Sequence, residues 1–81
     1  MKLADAIYKR ILYFMNKKGL SSLWDLYKVC GVPKSTINAL YGSKRSAIPR
    51  LTTLSQICNG LDTNLQEFFN DEMFKDIDDD M

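Results

Sequence analysis

The stretch LYKVCGVPKSTINALYG, residues Leu26 to Gly42, decides the fold. Apolar residues on both sides of Gly31 recur at the three- and four-residue spacing of an amphipathic helix. Gly31 can adopt the left-handed backbone conformation that ends a helix, and Val32 then fills the angle between two helices. Ile37 and Leu40 anchor the second of these helices. The stretch therefore predicts two short helices that meet at a tight turn.

One helix precedes this pair, and a capping motif starts the pair itself. An apolar set at helical spacing predicts a helix near the N-terminus that ends near Gly19; the set is Leu3, Ile7, Ile11, Phe14 and Met15. Ser22 and Asp25 have the spacing of a capping box, in which each residue bonds the backbone N–H of the other. They predict the start of a second helix, whose inward residues are expected to be Leu23, Leu26 and Val29.

Two further helices follow a polar, basic loop at residues 43–49. The fourth helix is predicted from the apolar set Leu51, Leu54, Ile57, Cys58 and Leu61. Asn64 and Glu67 form a second capping-box pattern, which opens a fifth helix through Leu65, Phe68 and Phe69. The 81 residues are 46% hydrophobic and include only two Pro, a composition and length that fit one globular domain. The prediction is an all-α, compact bundle of about five short helices.

Charge is divided unevenly along the chain. Up to Arg50 there are ten basic and two acidic residues, and from Leu51 onward there are one basic and eight acidic residues, although the net charge is only +1. A basic half and an acidic half are consistent with a protein that binds nucleic acid through one surface and is kept soluble by the charge of the other. The alternative is ordinary solvated surface charge. Residues 1–70 are predicted to form the domain and residues 71–81 an acidic C-terminal tail. The tail is expected to be a disordered end, or to fold back and compete with phosphate for the basic half.

The stretch that decides the fold resembles the helix-turn-helix of the Cro/cI-type, or XRE, family of phage repressors and bacterial regulators. The shared pattern is Leu26, four residues, Gly31-Val32, four residues, Ile37 and then Leu40. The leucine-rich fourth helix and the capped fifth helix extend the resemblance over residues 20–69. It implies a lambda repressor-like DNA-binding domain that binds specific double-stranded DNA as a transcriptional regulator, a repressor of bacterial or phage origin.

The resemblance also implies two copies of the chain on one DNA site. Regulators of this type gain specificity by doubling the site, so the expected partners are a palindromic operator and a second copy of the chain, a homodimer at least on DNA. Phe69, Met73 and Phe74 follow the recognisable domain. They are expected to form a small apolar dimer surface, or to pack on their own core.

Three positions depart from the pattern of that family. Tyr27 stands where the family usually has Ala, so its ring must point sideways or widen the crossing of the two helices. Pro33 replaces a Ser or Thr cap, a change that a helix start tolerates well. Leu23 replaces a Gln that contacts phosphate in the family, so that contact is not expected here.

The helix that follows the turn has an outward face with the chemistry to read bases. Residues advance by about 100° each, so Lys34, Ser35, Asn38 and Ala39 share an arc of about 140° that faces away from the core. Lys34 suits guanine O6 and N7, Asn38 suits adenine N6 and N7, Ala39 suits a thymine methyl, and Ser35 is permissive. The resemblance implies base contact at these four positions. The alternative is the plain solvent face of an amphipathic helix.

Groups that flank this helix are expected to contact DNA phosphates through charge, hydroxyls or exposed N–H groups. They are Ser21, Ser22, Tyr41, Ser43, Lys44, Arg45 and Arg50. For Tyr41, inward packing is an equal alternative. Three other lysines, Lys17, Lys18 and Lys28, are expected to be solvated. Trp24 is expected to be a core or interface residue that reads no bases.

Several function classes are not expected. The chain has no His, no nucleophile motif and no Gly-rich phosphate loop, so we expect no enzyme. Cys30 and Cys58 lack a C-x-x-C spacing and predict reduced, buried thiols with no metal site and no cofactor. No apolar stretch is long enough for a signal peptide or a membrane span, so the expected protein is cytoplasmic, with no membrane partner and no evident small-molecule ligand. The remaining alternative is a protein-interaction or antitoxin-like module on the same helical fold.

Overall fold

The computed structural model describes residues 1–40 and 48–78, whose regular structure is entirely helical. The elements are α1 (Leu3–Lys18), α2 (Leu23–Cys30), α3 (Lys34–Leu40), α4 (Leu51–Gly60), α5 (Leu65–Phe68) and a 3-10 helix (Glu72–Phe74). No strand occurs within these two described ranges. The predicted all-α fold of about five short helices is confirmed.

Glycines end the first two helices, as predicted. Gly19 has φ 84° and Gly31 has φ 68°, the left-handed backbone conformation that glycine adopts without a steric penalty. The N–H of Gly31 donates to the carbonyl of Tyr27 at 3.0 Å and closes the last turn of α2. The chain therefore leaves α2 at a sharp angle.

Side-chain caps start α2 and α5. The Ser22 hydroxyl accepts from the N–H of Asp25 at 3.1 Å, and the Asn64 side chain accepts from the N–H of Glu67 at 2.8 Å. Both predicted caps are confirmed. The Asp25 carboxylate accepts mainly from the N–H of Ser21, at 3.3 Å, and the N–H of Ser22, the predicted donor, makes a weaker contribution.

Apolar side chains from all five α-helices form one core. Its buried residues are Ile7, Ile11, Phe14, Met15, Leu26, Cys30, Val32, Ile37, Leu40, Leu54, Ile57, Cys58, Leu61 and Phe68. Cys30 and Cys58 are free, buried thiols, as predicted. Loss of hydration on burial raises the pKa of the Cys58 thiol to about 11, so this sulfur is protonated at neutral pH and is a poor nucleophile.

Two residues predicted to face the core are exposed instead. Val29 is 36% exposed and Leu51 is 66% exposed. On α2 the core side lies around Leu26 and Cys30, and Val29 is rotated about 60° from Leu26 in the direction away from Cys30. Leu51 is the first residue of α4, one turn before the first buried residue of that helix, Leu54.

Residues 71–78 of the acidic segment after α5 make defined contacts with the domain, where a disordered end was one of the two predicted alternatives for residues 71–81. Asp71 caps the 3-10 helix by accepting from the N–H of Met73 at 3.0 Å. The terminal ammonium of Met1 lies 3.0 Å from the carboxylate of Asp78, and its hydrogen bond and charge lower the pKa of that carboxyl. Composition indicated disorder, but these specific contacts hold the segment on α1.

The aromatic residues of this segment pack on the domain's own core. Phe74 lies 6.1 Å from Phe68 and 5.0 Å from Phe69 between ring centroids, and the ring of Phe68 is completely buried. Of the two alternatives for Phe69, Met73 and Phe74, packing on their own core is the one observed for the two phenylalanines. Their rings are therefore largely unavailable as a dimer surface.

Arg10 ties α1 to the end of α5, although only 6% of it is exposed. Its Nε donates to the carbonyl of Phe68 at 2.7 Å, and its Nη2 donates to the carbonyl of Glu67 at 2.9 Å. The guanidinium carbon also lies 4.7 Å from the ring centroids of both Tyr13 and Phe14. The charged side chain thus pairs the Phe68 carbonyl at the end of α5, and it shares the Glu67 carbonyl with the N–H of Asn70, which donates to it at 3.2 Å.

The packing of α4 against α2 depends on Gly60. A β-carbon at this position would lie 2.6 Å from the Cα of Cys30 and 2.7 Å from the carbonyl oxygen of Val29. The amide of Gln56 also donates to the carbonyl of Cys30 at 3.1 Å. The end of α2, and with it the turn into α3, is therefore held by close backbone contact with α4.

Lys18 is exposed, as predicted for a solvated lysine, and it also has defined partners. Its ammonium donates to the carbonyl of Gly60 at 2.6 Å and lies 3.1 Å from the carboxylate of Asp62. The carbonyl is one that the end of α4 leaves unpaired, which gives the lysine a fixed partner. Lys18 therefore joins the end of α1 to the end of α4.

Candidate nucleic-acid interface

The turn between α2 and α3 has the geometry of a helix-turn-helix. Gly31 ends α2, and Val32 is almost fully buried between the helices. The carbonyl of Pro33 accepts from the N–H groups of Thr36 at 3.0 Å and Ile37 at 3.2 Å, so α3 begins directly after the proline. Because Pro33 has no N–H to lose, it is well suited to this position.

The two sides of α3 differ as predicted in burial. Ile37 and Leu40 are buried in the core. The four residues predicted to contact bases, Lys34, Ser35, Asn38 and Ala39, are all exposed on the opposite side. Their placement is the one that base contact requires, and the contact itself stays a prediction.

These four residues line two separate depressions beside α3. Lys34 and Asn38 line a cavity of about 120 Å³ on the side of α2. Ser35 and Ala39 line a broader cleft of about 490 Å³ on the side of α4, and Arg50 lines the same cleft. The face of α3 is therefore bordered by aromatic side chains on one flank and by a cationic side chain on the other.

Lys34 rests on aromatic rings of α2. Its ammonium nitrogen lies 4.0 Å from the ring centroid of Trp24 and 5.5 Å from that of Tyr27. The two rings are neighbours, with centroids 5.4 Å apart. Trp24 is 50% exposed, so it is not the core residue that was one of its predicted alternatives. Lys28 also faces this ring, at 5.9 Å from its centroid.

The start of α2 offers two exposed serines, as predicted for phosphate contact. The N–H of Ser21 is already bonded to the Asp25 carboxylate, however, so it is not the free donor that was expected. The hydrogen bonds from the Ser21 N–H and from Ser22 lower the pKa of Asp25, and the carboxylate is ionised at neutral pH. A phosphate approaching this end therefore meets the Ser21 hydroxyl beside a negative charge, while the Ser22 hydroxyl is already hydrogen-bonded to Asp25.

The other predicted phosphate contacts divide into one described residue and four that lie outside the described residues. Arg50 is exposed directly before α4. Tyr41, Ser43, Lys44 and Arg45 belong to residues 41–47, outside the described ranges. Their roles stay predictions.

The part of the chain that the structure describes brings no three His, Cys, Asp or Glu side chains together as a metal ion would need. No helix in it combines the length and the apolar character required to cross a bilayer.

Comparison with known proteins identifies the domain. Residues 10–73 match the sequence model of a family described as the Cro/C1-type HTH DNA-binding domain. The chain belongs to this family. No protein with a curated description matches it. Among solved structures, the crystal structure of the prophage Lp1 protein 11 has a TM-score of 0.78 and 22% identity, over 95% of this chain and 100% of that one.

These comparisons confirm the resemblance and the fold. At 22% identity the prophage protein shows the same arrangement of helices and nothing about ligands. The Cro/C1-type domain is a DNA-binding domain, a function that requires no catalytic group. The chain is thus a DNA-binding domain of helix-turn-helix type.

The structure also explains how this Cro/C1-type domain accommodates Tyr27. The ring is half-buried beside Trp24, where it lines the depression between α2 and α3 and lies 5.5 Å from the Lys34 ammonium. Sequence reasoning assigned Trp24 no part in reading bases and did not anticipate its contact with Lys34. The available signal was the spacing of three between Trp24 and Tyr27, which places two aromatic residues on one side of a short helix.

Proposed function

We propose that the chain is a transcriptional regulator, acting as a repressor, that binds specific sequences in double-stranded DNA. The observation that carries the proposal is the exposed face of α3, where four side chains with base-contacting chemistry stand opposite the buried Ile37 and Leu40. A helix held in this way can enter the major groove while its other side stays anchored in the domain.

Each exposed residue of α3 has a proposed role in the groove. The Lys34 ammonium donates to guanine O6 and N7, and the Asn38 amide pairs with adenine N6 and N7. Ala39 contacts a thymine methyl, and the Ser35 hydroxyl accepts or donates according to the base it meets. These contacts to base edges determine which DNA sequence the chain binds.

Contacts to the DNA backbone set the position of α3 in the groove. Arg50 and the hydroxyl groups of Ser21 and Ser22 are the described residues that we assign to phosphates, since all three are exposed at helix starts that flank α3. The sequence adds Tyr41, Ser43, Lys44 and Arg45 to this set. Contacts of this kind supply affinity that does not depend on sequence.

The operator is proposed to be palindromic and to bind two copies of the chain. One helix of seven residues reads only a few base pairs, so a second copy is needed for a site that is rare in a genome. Half-site centres should then lie about 34 Å apart or at a multiple of that distance. The fold shared with a prophage protein supports a bacterial or phage origin and a cytoplasmic location.

Selection of bound sequences from random duplex DNA tests the proposed function. A regulator should enrich one palindromic sequence, and its affinity should fall steeply as the salt concentration rises. Enrichment of a single, non-repeated half-site would remove the dimer from the proposal. If no sequence is enriched and no salt-dependent binding is seen, the chain is a protein-interaction module on the same fold.

Replacing Asn38 with alanine should weaken binding to the selected site by about 1 to 3 kcal/mol. The reason is the loss of a two-bond contact with one base, so the preference at one position should relax while random DNA is bound as before. Competition binding with single-base-pair variants of the site measures both effects. Asn16→Ala is the matched control, because Asn16 is exposed on α1, outside the helix-turn-helix. An equal loss on selected and random DNA would exclude Asn38 from base contact.

Replacing Arg50 with alanine should weaken binding to all sequences alike. If Arg50 neutralises one phosphate, the slope of log K against log salt concentration should fall by about one unit. The slope is obtained from binding titrations at several salt concentrations. Lys75→Ala is the control, because Lys75 is exposed in the acidic C-terminal segment beside Glu72. Equal slopes for Arg50→Ala and wild type would show that Arg50 contacts no phosphate.

A further inference from the structure

Lys34 has an unusual support for a side chain proposed to read a base. A free lysine samples many rotamers, and it must give up that freedom when it binds. Here the ammonium lies 4.0 Å from the ring centroid of Trp24, well inside the range of about 6 Å over which a cation is attracted to an aromatic face. The ring therefore favours one position of the side chain before DNA arrives.

The support leaves the ammonium able to bind DNA. An ammonium has three N–H donors, and a ring on one side of it leaves donors free on the other sides. Lys34 is exposed on the same face of α3 as Asn38, and both line the cavity between α2 and α3 together with Leu23, Trp24, Tyr27 and Ile37. The free donors can thus reach guanine O6 and N7 from the position that the ring sets.

The contacts of the Trp24 ring are mainly with another ring and with two cations. The ring is 50% exposed, so it contributes little to the core, and its ring neighbours are Tyr27, Lys28 and Lys34. Of the two cations, Lys34 lies at 4.0 Å from its centroid and Lys28 at 5.9 Å. The attraction falls with distance, so the ring acts mainly on Lys34.

We propose that Trp24 is a positioning residue for Lys34, so that base choice at the pair which Lys34 reads depends on the indole ring. The inference rests on the proposed function, because it concerns how the exposed face of α3 discriminates between bases. Trp24 itself touches no base.

The test compares Trp24→Leu, Trp24→Phe, Lys34→Met and the double variant Trp24→Leu/Lys34→Met in competition binding. Binding to single-base-pair variants of the selected site first identifies the position at which Lys34→Met no longer prefers one base pair over the others. At that pair, Trp24→Leu should lower the preference about three- to fivefold, the loss expected for an exposed cation–π contact. Trp24→Phe should keep most of the wild-type preference at that position. The double variant should lose no more preference than Lys34→Met alone.

Two controls separate positioning from general weakening. Lys28→Ala removes the more distant cation beside the same ring and should leave the preference unchanged. Affinity for random DNA should be the same for Trp24→Leu as for wild type, and thermal unfolding followed by circular dichroism should show that the half-exposed substitution leaves the fold intact.

The possible failures are distinct. If the wild-type chain selects no sequence, the proposed function fails and the inference falls with it. If a site is selected but Trp24→Leu keeps the full preference, only the inference is wrong. A uniform loss on all DNAs would mean that the ring contacts the DNA backbone, which also overturns positioning. Additive effects of the two substitutions in the double variant would also overturn the positioning role of Trp24. The same holds if Lys34→Met keeps the full base preference.

Discussion

Replacing Arg10 with methionine should destabilise the fold by about 2 to 3 kcal/mol. Methionine keeps most of the length of the side chain between the rings of Tyr13 and Phe14, but it cannot donate to the carbonyls of Phe68 and Glu67. A buried acceptor that loses its partner costs about 1 to 3 kcal/mol. Urea unfolding followed by circular dichroism gives the change as a shift of the midpoint.

Burial of the Arg10 charge also has a hydration cost, which the substitution would recover. Replacing a whole buried ion pair by apolar residues is often neutral, because both charged groups disappear together. At Arg10 the acceptors are backbone carbonyls, which no substitution of a side chain can remove. The penalty for leaving the Phe68 carbonyl unpaired therefore remains after the guanidinium is gone, whereas the Glu67 carbonyl keeps the hydrogen bond from the N–H of Asn70 at 3.2 Å.

Two further variants separate the carbonyl bonds from the ion pair. Asp71→Asn removes the charge that lies 3.4 Å from the guanidinium, and it should cost less than about 1 kcal/mol because that carboxylate is partly exposed. Arg10→Lys keeps the positive charge but lacks the planar set of N–H donors of the guanidinium. It should therefore regain less than half of the stability that Arg10→Met loses relative to wild type. If Asp71→Asn costs as much as Arg10→Met, the ion pair and not the carbonyl bonds holds the segment.

Arg10 also shows why part of the fold could not be predicted. Arginine is usually exposed, so its presence on α1 indicates surface. Its partners are backbone carbonyls more than fifty residues away in sequence, and every residue type has a carbonyl. No pattern of residue types could therefore have indicated this contact, nor the order of the acidic segment that begins beside it.

The helices and the turn between α2 and α3 were predictable because local chemistry decides them. A left-handed residue at the end of a helix requires glycine or a close substitute, which makes Gly31 informative on its own. On α3, Ile37 and Leu40 define the inward direction, so the exposed arc followed from geometry. On α2, apolar residues occupy most of the circumference, and only contact with α4 decides that Val29 faces solvent.

The same distinction applies to the candidate interface. Which residues of α3 face outward is a property of one helix, and the sequence predicted it. The position of the Lys34 ammonium over Trp24 depends on how α2 and α3 cross, so it involves two helices at once. Contacts of that kind follow from packing, which periodicity within one helix does not describe.

Replacing Gly60 with alanine should destabilise the fold by about 2 to 3 kcal/mol. Two effects oppose each other at this position. Alanine favours a helix over glycine by about 1 kcal/mol. Against this, a β-carbon would lie 2.6 Å from the Cα of Cys30 and 2.7 Å both from its Cβ and from the carbonyl oxygen of Val29. Two of these three atoms are backbone atoms, which cannot rotate away, so α4 must move off α2 and the clash outweighs the gain.

Gly19→Ala is the matched control. At Gly19 there is room for a β-carbon but φ is positive, whereas at Gly60 the β-carbon would clash. Nothing lies within 4 Å of a β-carbon at Gly19, but φ is 84°, so the cost is the left-handed strain of about 1 to 2 kcal/mol without any clash. A second measurement follows the movement of α4 itself: the buried thiol of Cys58, whose pKa of about 11 reflects its lost hydration, should react faster with a thiol reagent in Gly60→Ala than in Gly19→Ala. If Gly60→Ala unfolds at a higher urea concentration than wild type, helix propensity decides the outcome and α4 does not depend on this close contact.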